Sequence, residues 1–230
     1  MRGFERGGKL LMTKILSTAR IMIVDDHPMV REGLRLRISA FPDLEVCGEA
    51  TSEEEAMSLI KETNPHLIIV DISLKSGHGI ELIKRVKSSH PSIKMLVSSG
   101  FQESLYAERA LRAGALSYLN KQDSGEKVIE AIRTVLRGER YVSPETTQRL
   151  VSQALGNKRA STNPMDLLTD RELEIFRMIG QGRTSGAIAE GLYLSSHTID
   201  THRENIKRKL GLKNAAELNR QAVQFLLENS

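Results

Sequence analysis

The sequence predicts an α/β unit followed by a smaller all-helical one, and three observations carry that reading. From Arg20 to Arg137, short apolar runs alternate with stretches whose apolar residues recur every three or four positions. That alternation is the pattern of β-α repeats closing into a parallel sheet. After Gly138 the chain turns polar, with Gly, Asn, Ser and Pro in GNKRASTNPMD, as a linker does. From Met165 onward only helical spacing appears, broken by tight turns. The expected class is therefore α/β. A (βα)5 doubly wound parallel sheet spans residues 20–138, a linker with one short helix spans 139–164, and a small all-α domain of four helices spans 165–230.

Each element follows from local chemistry. RIMIV is an apolar strand running into Asp25 and Asp26; Pro28 suits the first turn of a helix, and Val30, Leu34 and Ile38 share one face. LEVCGEA is the second strand. Ser52 with Glu55 forms a capping box for a second helix through Ala56, Leu59 and Ile60. Leu67 to Val70 is a run of four β-formers, as in a strand buried on both faces, and it stops at Asp71. Ile80, Ile83 and Val86 mark a third helix closed by Pro91, and KMLVSS is the fourth strand. A helix from about Glu103 to Ala113 ends on Gly114 as its cap. SYLNK is the fifth strand, and Val128, Ile129, Ile132, Val135 and Leu136 line the fifth helix.

Right-handed crossovers point all five strand ends the same way. The residues found there are Asp25, Asp26, Asp71, Ser99 and Lys121. Ligands of open α/β sheets bind at that edge. Three close carboxylates repel one another and call for a divalent cation; hard oxygen donors with few protein contacts suit Mg²⁺. A central Asp can act as nucleophile and form an acyl phosphate, with Lys121 and the cation balancing charge on the phosphoryl oxygens.

These residues, in this order, resemble the receiver domain of two-component response regulators: VDDHPMVREGL, the run from Asp71 to Gly79, the Ser before Gly100, and Tyr118-Leu119-Asn120-Lys121. The resemblance implies that Asp71 accepts a phosphoryl group from a sensor histidine kinase. It also implies that Asp26 and Asp71 ligate Mg²⁺ directly, with Asp25 acting mainly through water and the Ser73 carbonyl completing the set. Ser99 and Tyr118 would form a switch, the hydroxyl moving onto the phosphoryl group and the ring turning inward. That switch would bias the face made by the fourth helix, fifth strand and fifth helix. Two positions depart from the family. Lys75 stands where Pro is usual, which loosens the loop geometry, and Ser99 stands where Thr is common but keeps the hydroxyl.

In the second domain, Thr169 with Glu172 is a capping box, followed by Leu173, Ile175, Phe176 and Ile179. A helix from about Ser185 to Tyr193, a Leu194-Ser195-Ser196 turn and a helix from about His197 to Leu210 form a helix-turn-helix. Ile199, Ile206 and Leu210 make the core stripe of the latter. His197, Asp200, Thr201, Arg203, Glu204, Lys207 and Arg208 lie opposite, with Lys209 and Lys213 at the end. Cations there can reach phosphates beside a major groove. LTDRELEIFRMIGQGRTSGAIAEGLYLSSHTIDTHRENIKRKLGL resembles the LuxR-type DNA-binding domain of NarL/FixJ response regulators. The two resemblances cover residues 20–228. Together they imply a cytoplasmic transcription factor that binds a double-stranded DNA operator and forms a homodimer when phosphorylated. Leu218, Ala222 and Phe225 of the last helix are the expected dimer surface, on an inverted or direct pair of half-sites, with the inverted arrangement favoured by two-fold symmetry. Asp200 and Glu204 replace residues often Lys in the family. A carboxylate accepts from cytosine N4 but repels phosphate, so a distinct operator preference is expected.

Composition narrows the class. Residues 1–20 carry +4, 21–140 carry −2, 141–164 carry +2 and 165–230 sum to zero. The basic balance thus sits outside both domains and is no argument for DNA binding. Residues 1–19 read as a disordered basic extension, not a signal peptide. No run approaches the roughly 18 apolar residues of a membrane span, so no membrane partner is expected. The single Cys47 excludes an internal disulfide and a multi-cysteine zinc site, and reads as a buried structural thiol. The chain is not expected to be an enzyme: a phosphatase using Asp71 as nucleophile would need a second acid/base and a substrate-selecting cap, which the sequence does not offer. A binding module with a vestigial receiver would not need the intact Asp-Asp-Asp-Ser-Lys set.

Overall fold

In the computed structural model, which describes residues 18–74, 77–154 and 164–228, β-α repeats build the first domain. Strands β1 (Ala19–Val24), β2 (Leu44–Ala50), β3 (Leu67–Val70), β4 (Lys94–Ser99) and β5 (Ser117–Asn120) pair in parallel in the order β2-β1-β3-β4-β5. Helices α1 (Pro28–Ser39) and α5 (Gly125–Leu136) cover one face; α2 (Glu53–Thr63), α3 (Gly79–Ser89) and α4 (Glu103–Ala113) cover the other. Period-two alternation in the strands divides the core accordingly. Ile21, Ile23, Leu67 and Ile69 face α1 and α5, whereas Met22, Val24, Ile68 and Val70 face α2 to α4.

Local chemistry sets the helix starts. Ser52 accepts from the Glu55 amide, but the Glu55 carboxylate reaches back to the Thr51 amide and hydroxyl, not to Ser52, so the expected box is displaced by one residue. Cys47 is half-buried and not enclosed; burial pushes its thiol pKa up. Residues 1–17 of the basic extension, Lys75 and 155–163 of the linker lie outside the described residues.

The linker helix α6 (Pro144–Ala154) lies against α4, with Thr146 hydroxyl donating to Glu103 and Arg149 to the Ser104 carbonyl. A 3-10 turn (Pro164–Leu167) then leads into α7 (Asp170–Gly180), α8 (Ser185–Gly191), α9 (Ser196–Leu210) and α10 (Ala215–Glu228). Thr169 and Glu172 make the full capping box expected for α7. Helix α10 corrects an expectation. Leu218, Ala222 and Phe225 are buried, and the Phe225 ring packs 5.6 Å from Phe176 of α7. The two helices cross so closely at Gly180 that a Cβ there would strike the Ala222 carbonyl. That stripe is the core of the domain, not a free dimer surface. The large apolar residues α10 presents to solvent, among those described, are Val223 and Leu227.

The helical domain is docked on the α3–α4 side of the sheet, and the two cores merge into one cluster. Arg109 of α4 donates to the Met165 carbonyl (2.6 Å), the Leu168 carbonyl (2.8 Å) and Asp170 (3.0 Å), and Lys84 of α3 reaches Asp170 at 3.3 Å.

Candidate phospho-acceptor site and nucleic-acid interface

The C-terminal ends of β1, β3 and β5 bring the predicted charges together. Lys121 Nζ lies 2.7 Å from both Asp71 Oδ2 and Asp25 Oδ2. Asp25, Asp26 and Asp71 are all buried. With His27, their ligand atoms fall within 4.8 Å of one another. His27 is the member sequence reasoning missed, although it directly follows the Asp pair. Its Nδ1 stands 2.9 Å from Asp26 Oδ1 and 3.1 Å from Asp25 Oδ1, with the side chain largely exposed at the mouth.

The electrostatics suit a cation. Burial pushes Asp71 up to about 6, against the pull of Lys121, and Asp25 adds to the rise. Burial opposes the charge on Lys121, yet Asp71 and Asp25 hold its ammonium above the ordinary lysine range. Asp26 Oδ1 is buried and has the His27 imidazole nitrogen 2.9 Å away but not aligned for a hydrogen bond, so this hard oxygen can turn to a cation. Three carboxylates with one such oxygen fit Mg²⁺. Both described ends of the loop after Asp71 are tied down: the Ser73 amide donates to Asp71 Oδ1 (3.3 Å) and the Gly79 amide to the Ile72 carbonyl (2.9 Å). A Cβ at Gly79 would collide with the Asp71 carbonyl, which explains why a glycine stands eight residues after the acid.

Ser99 ends β4 fully buried, its Oγ accepting from the Phe101 amide at 3.2 Å. The Tyr118 ring is turned inward and its hydroxyl donates to the Phe101 carbonyl at 2.9 Å. Burial raises the Tyr118 phenol, keeping it a donor.

On α9, Ile199 and Ile206 are buried as expected, while Leu210 is half-buried. His197, Asp200, Thr201, Glu204 and Arg208 are exposed along the outer side; Arg203 and Lys207 are half-buried. Several cations are already engaged. Arg203 donates to Asn219 of α10 (3.2 Å), Lys207 pairs with Glu204 (2.9 Å), and Lys209 lies 2.6 Å from Glu172. Lys209 thus ties α9 to the start of α7, a partner its position at the helix end did not reveal. Helix α7 faces the other domain. Its Glu174 carboxylate is buried beside His78, 4.0 Å away, and bonded to Arg171 at 2.7 Å. Burial raises Glu174 and lowers His78, so the imidazole is neutral and the two are not an ion pair. Among the described residues, no helix is long and apolar enough to cross a membrane.

Comparison with known proteins bears on both sites. Residues 21–133 match the response regulator receiver domain, and residues 166–222 match the bacterial regulatory proteins of the luxR family. The response regulator GacA of Pseudomonas protegens is 34% identical over 205 residues, covering 89% of this chain and 95% of GacA. The oxygen regulatory protein NreC of Staphylococcus aureus is 35% identical over 204 residues, covering 86% and 94%. Among solved structures, the RcsB response regulator of Salmonella typhimurium, described for its conformational dynamism in DNA interaction, aligns with a TM-score of 0.64 at 25% identity, covering 90% of this chain and 98% of RcsB.

Proposed function

The chain belongs to the NarL/FixJ family of two-component response regulators, a receiver domain joined to a LuxR-type DNA-binding domain, and from that premise we propose that phosphoryl transfer to Asp71 controls its dimerisation and DNA binding. The observation that carries this reading is the Lys121 ammonium set 2.7 Å from both Asp71 and Asp25, beside the buried Asp26 carboxylate. An Asp71 oxygen attacks the phosphorus of a histidine kinase's phosphohistidine; the O–P bond forms as the N–P bond breaks. Lys121 then neutralises one phosphoryl oxygen without leaving Asp25. Asp25, Asp26, Asp71 and the Ser73 carbonyl would hold Mg²⁺, which supplies charge neutralisation on the transferring group. Ser99 turns its hydroxyl to a phosphoryl oxygen, giving up the Phe101 amide. Tyr118, already inward, follows the Phe101 carbonyl.

The domains of this reading are residues 20–138 for the receiver, 139–164 for the linker and 165–230 for the DNA-binding domain. Helix α9 enters the major groove, with His197, Asp200, Thr201 and Glu204 toward base edges and Arg203, Lys207 and Arg208 toward phosphates. Lys209 contributes less, because Glu172 holds it. The docked α7 leaves the outer side of α9 open but ties its orientation to the receiver. Paired half-sites lie about 34 Å, or a multiple of it, apart, and undocking frees the two DNA-binding domains to match that spacing. Dimer contact on α10 falls to Val223 and Leu227. A protein working in this way with a kinase and chromosomal DNA would be cytoplasmic.

The test is incubation with a small phosphodonor, with and without Mg²⁺, read by intact mass and by sizing. One phosphoryl group gained only with Mg²⁺, lost in Asp71→Asn, and accompanied by a shift toward dimer supports the proposal. Labelling that persists in Asp71→Asn refutes it.

A further inference from the structure

The seam between the domains passes through the residue two positions beyond Ser99. Phe101 is held on several sides. Its amide donates to Ser99 Oγ (3.2 Å), its carbonyl accepts from Tyr118 (2.9 Å), and its ring stacks on Tyr106 with centroids 4.8 Å apart. The DNA-binding domain adds one more contact: the guanidinium carbon of Arg177, on α7, sits 4.3 Å from the Phe101 centroid and 5.9 Å from that of Tyr106. Arg177 Nε and Nη1 are buried with no hydrogen-bond partner in the chain. The ring faces are therefore what offsets the desolvation of that cation.

We propose that Phe101 and Arg177 form the coupling pair that reports the state of Ser99 and Tyr118 to the DNA-binding domain, keeping it docked while Phe101 is held and releasing it when Phe101 shifts. The inference rests on Asp71 as phospho-acceptor and Ser99 as the group that turns to the phosphoryl oxygen. When Ser99 turns, the Phe101 amide loses its acceptor. Movement of the Phe101 ring then takes away the nearer π face and leaves Tyr106 alone, at 5.9 Å, to offset the unmatched buried N–H groups of Arg177, a state relieved by undocking into water. The remaining seam contacts do not involve Ser99. Arg109 and Lys84 hold the 3-10 turn and Asp170, and they set how much perturbation release requires.

The seam is built to be marginal. Among the described residues, eight buried side-chain atoms find no hydrogen-bond partner in the chain, and five belong here: His78 Nε2, the Tyr106 hydroxyl, Glu174 Oε1, and Arg177 Nε and Nη1. Buried polar groups left unmatched penalise the docked form.

The chain contains no tryptophan, so Phe101→Trp places a single tryptophan at the seam, excitable at wavelengths where the four tyrosines do not absorb, while keeping a ring for Arg177. In the full-length protein with Mg²⁺ and a small phosphodonor, its emission should shift red in step with phosphoryl incorporation measured by intact mass. The same variant carrying Asp71→Asn should show neither change. Arg177→Met should raise the radius of gyration in solution scattering without any phosphodonor and leave labelling of Asp71 intact. Phe101→Leu, which leaves Arg177 in place, should expand the protein in the same way. Labelling with unchanged emission, or unexpanded Arg177→Met and Phe101→Leu proteins, overturns the coupling pair alone. Absence of labelling in the wild type overturns the phospho-acceptor reading and the coupling with it.

Discussion

Arg109→Ala should release the DNA-binding domain without any phosphorylation. The side chain is mostly buried and makes three hydrogen bonds across the seam, to the Met165 carbonyl (2.6 Å), the Leu168 carbonyl (2.8 Å) and Asp170 (3.0 Å). Charge-assisted bonds contribute roughly 1.5–3 kcal/mol each. A simple sum overshoots, because the freed carbonyls gain water and Lys84 still reaches Asp170. Breaking a largely buried pair typically costs about 3–5 kcal/mol. Taking about 3 kcal/mol, the docking equilibrium shifts on the order of 100-fold toward the open form. Solution scattering and hydrogen exchange across the 3-10 turn report the change. Arg85→Ala is the matched control: its pair with Glu53 lies wholly within the first domain and is half exposed, so its effect on docking should be negligible. A folded Arg109→Ala protein with unchanged dimensions and exchange would refute the reasoning that this guanidinium holds the seam.

Further outcomes follow from the same contacts. Gly79→Ala drives a methyl into the Asp71 carbonyl; it should destabilise the first domain by about 1–3 kcal/mol in urea unfolding and slow phosphoryl uptake measured by mass. Phe225→Ala should unfold the C-terminal domain, at a cost of about 3–5 kcal/mol, whereas Leu227→Ser, at 77% exposure, should change stability by no more than about 0.5 kcal/mol and weaken the phosphorylated dimer on a sizing column. In Mg²⁺-free buffer, the Asp71 carboxyl, raised from 3.8 to about 6, binds its proton more tightly folded than unfolded. Stability should therefore fall as pH rises from about 4 to about 6, by up to about 3 kcal/mol. Asp71→Asn should flatten that slope in urea titrations, and an identical slope in both proteins would count against the burial of this charge.

Much of the fold was legible because its signals are local. Four consecutive β-formers from Leu67 to Val70 mark a strand covered on both faces, and Thr169 with Glu172 marks the start of α7. The acidic site was legible for a topological reason: parallel strands with helical crossovers must bring Asp25, Asp71 and Lys121 to one edge, and the Lys121 contacts realise that convergence. Periodicity was less informative about what covers a face. Leu218, Ala222 and Phe225 form a clear stripe, but the spacing is the same whether α7 or a second protomer covers it; the close crossing at Gly180 decides for α7. The seam left no mark in the sequence. Arg109 meets Asp170, and Phe101 meets Arg177, across gaps of many tens of residues, and each residue alone reads as an ordinary surface or loop position. Lys209 is similar, since a lysine at a helix end looks free until Glu172 is placed beside it.

The most direct measurement is to map the modified residue itself. Borohydride reduces an acyl phosphate on aspartate to homoserine, which peptide mass spectrometry locates after phosphodonor treatment with Mg²⁺. Phospho-acceptance at Asp71 predicts homoserine at position 71 and unmodified Asp25 and Asp26. Homoserine at either of those two positions, or a phosphoryl group that borohydride leaves in place, would contradict it.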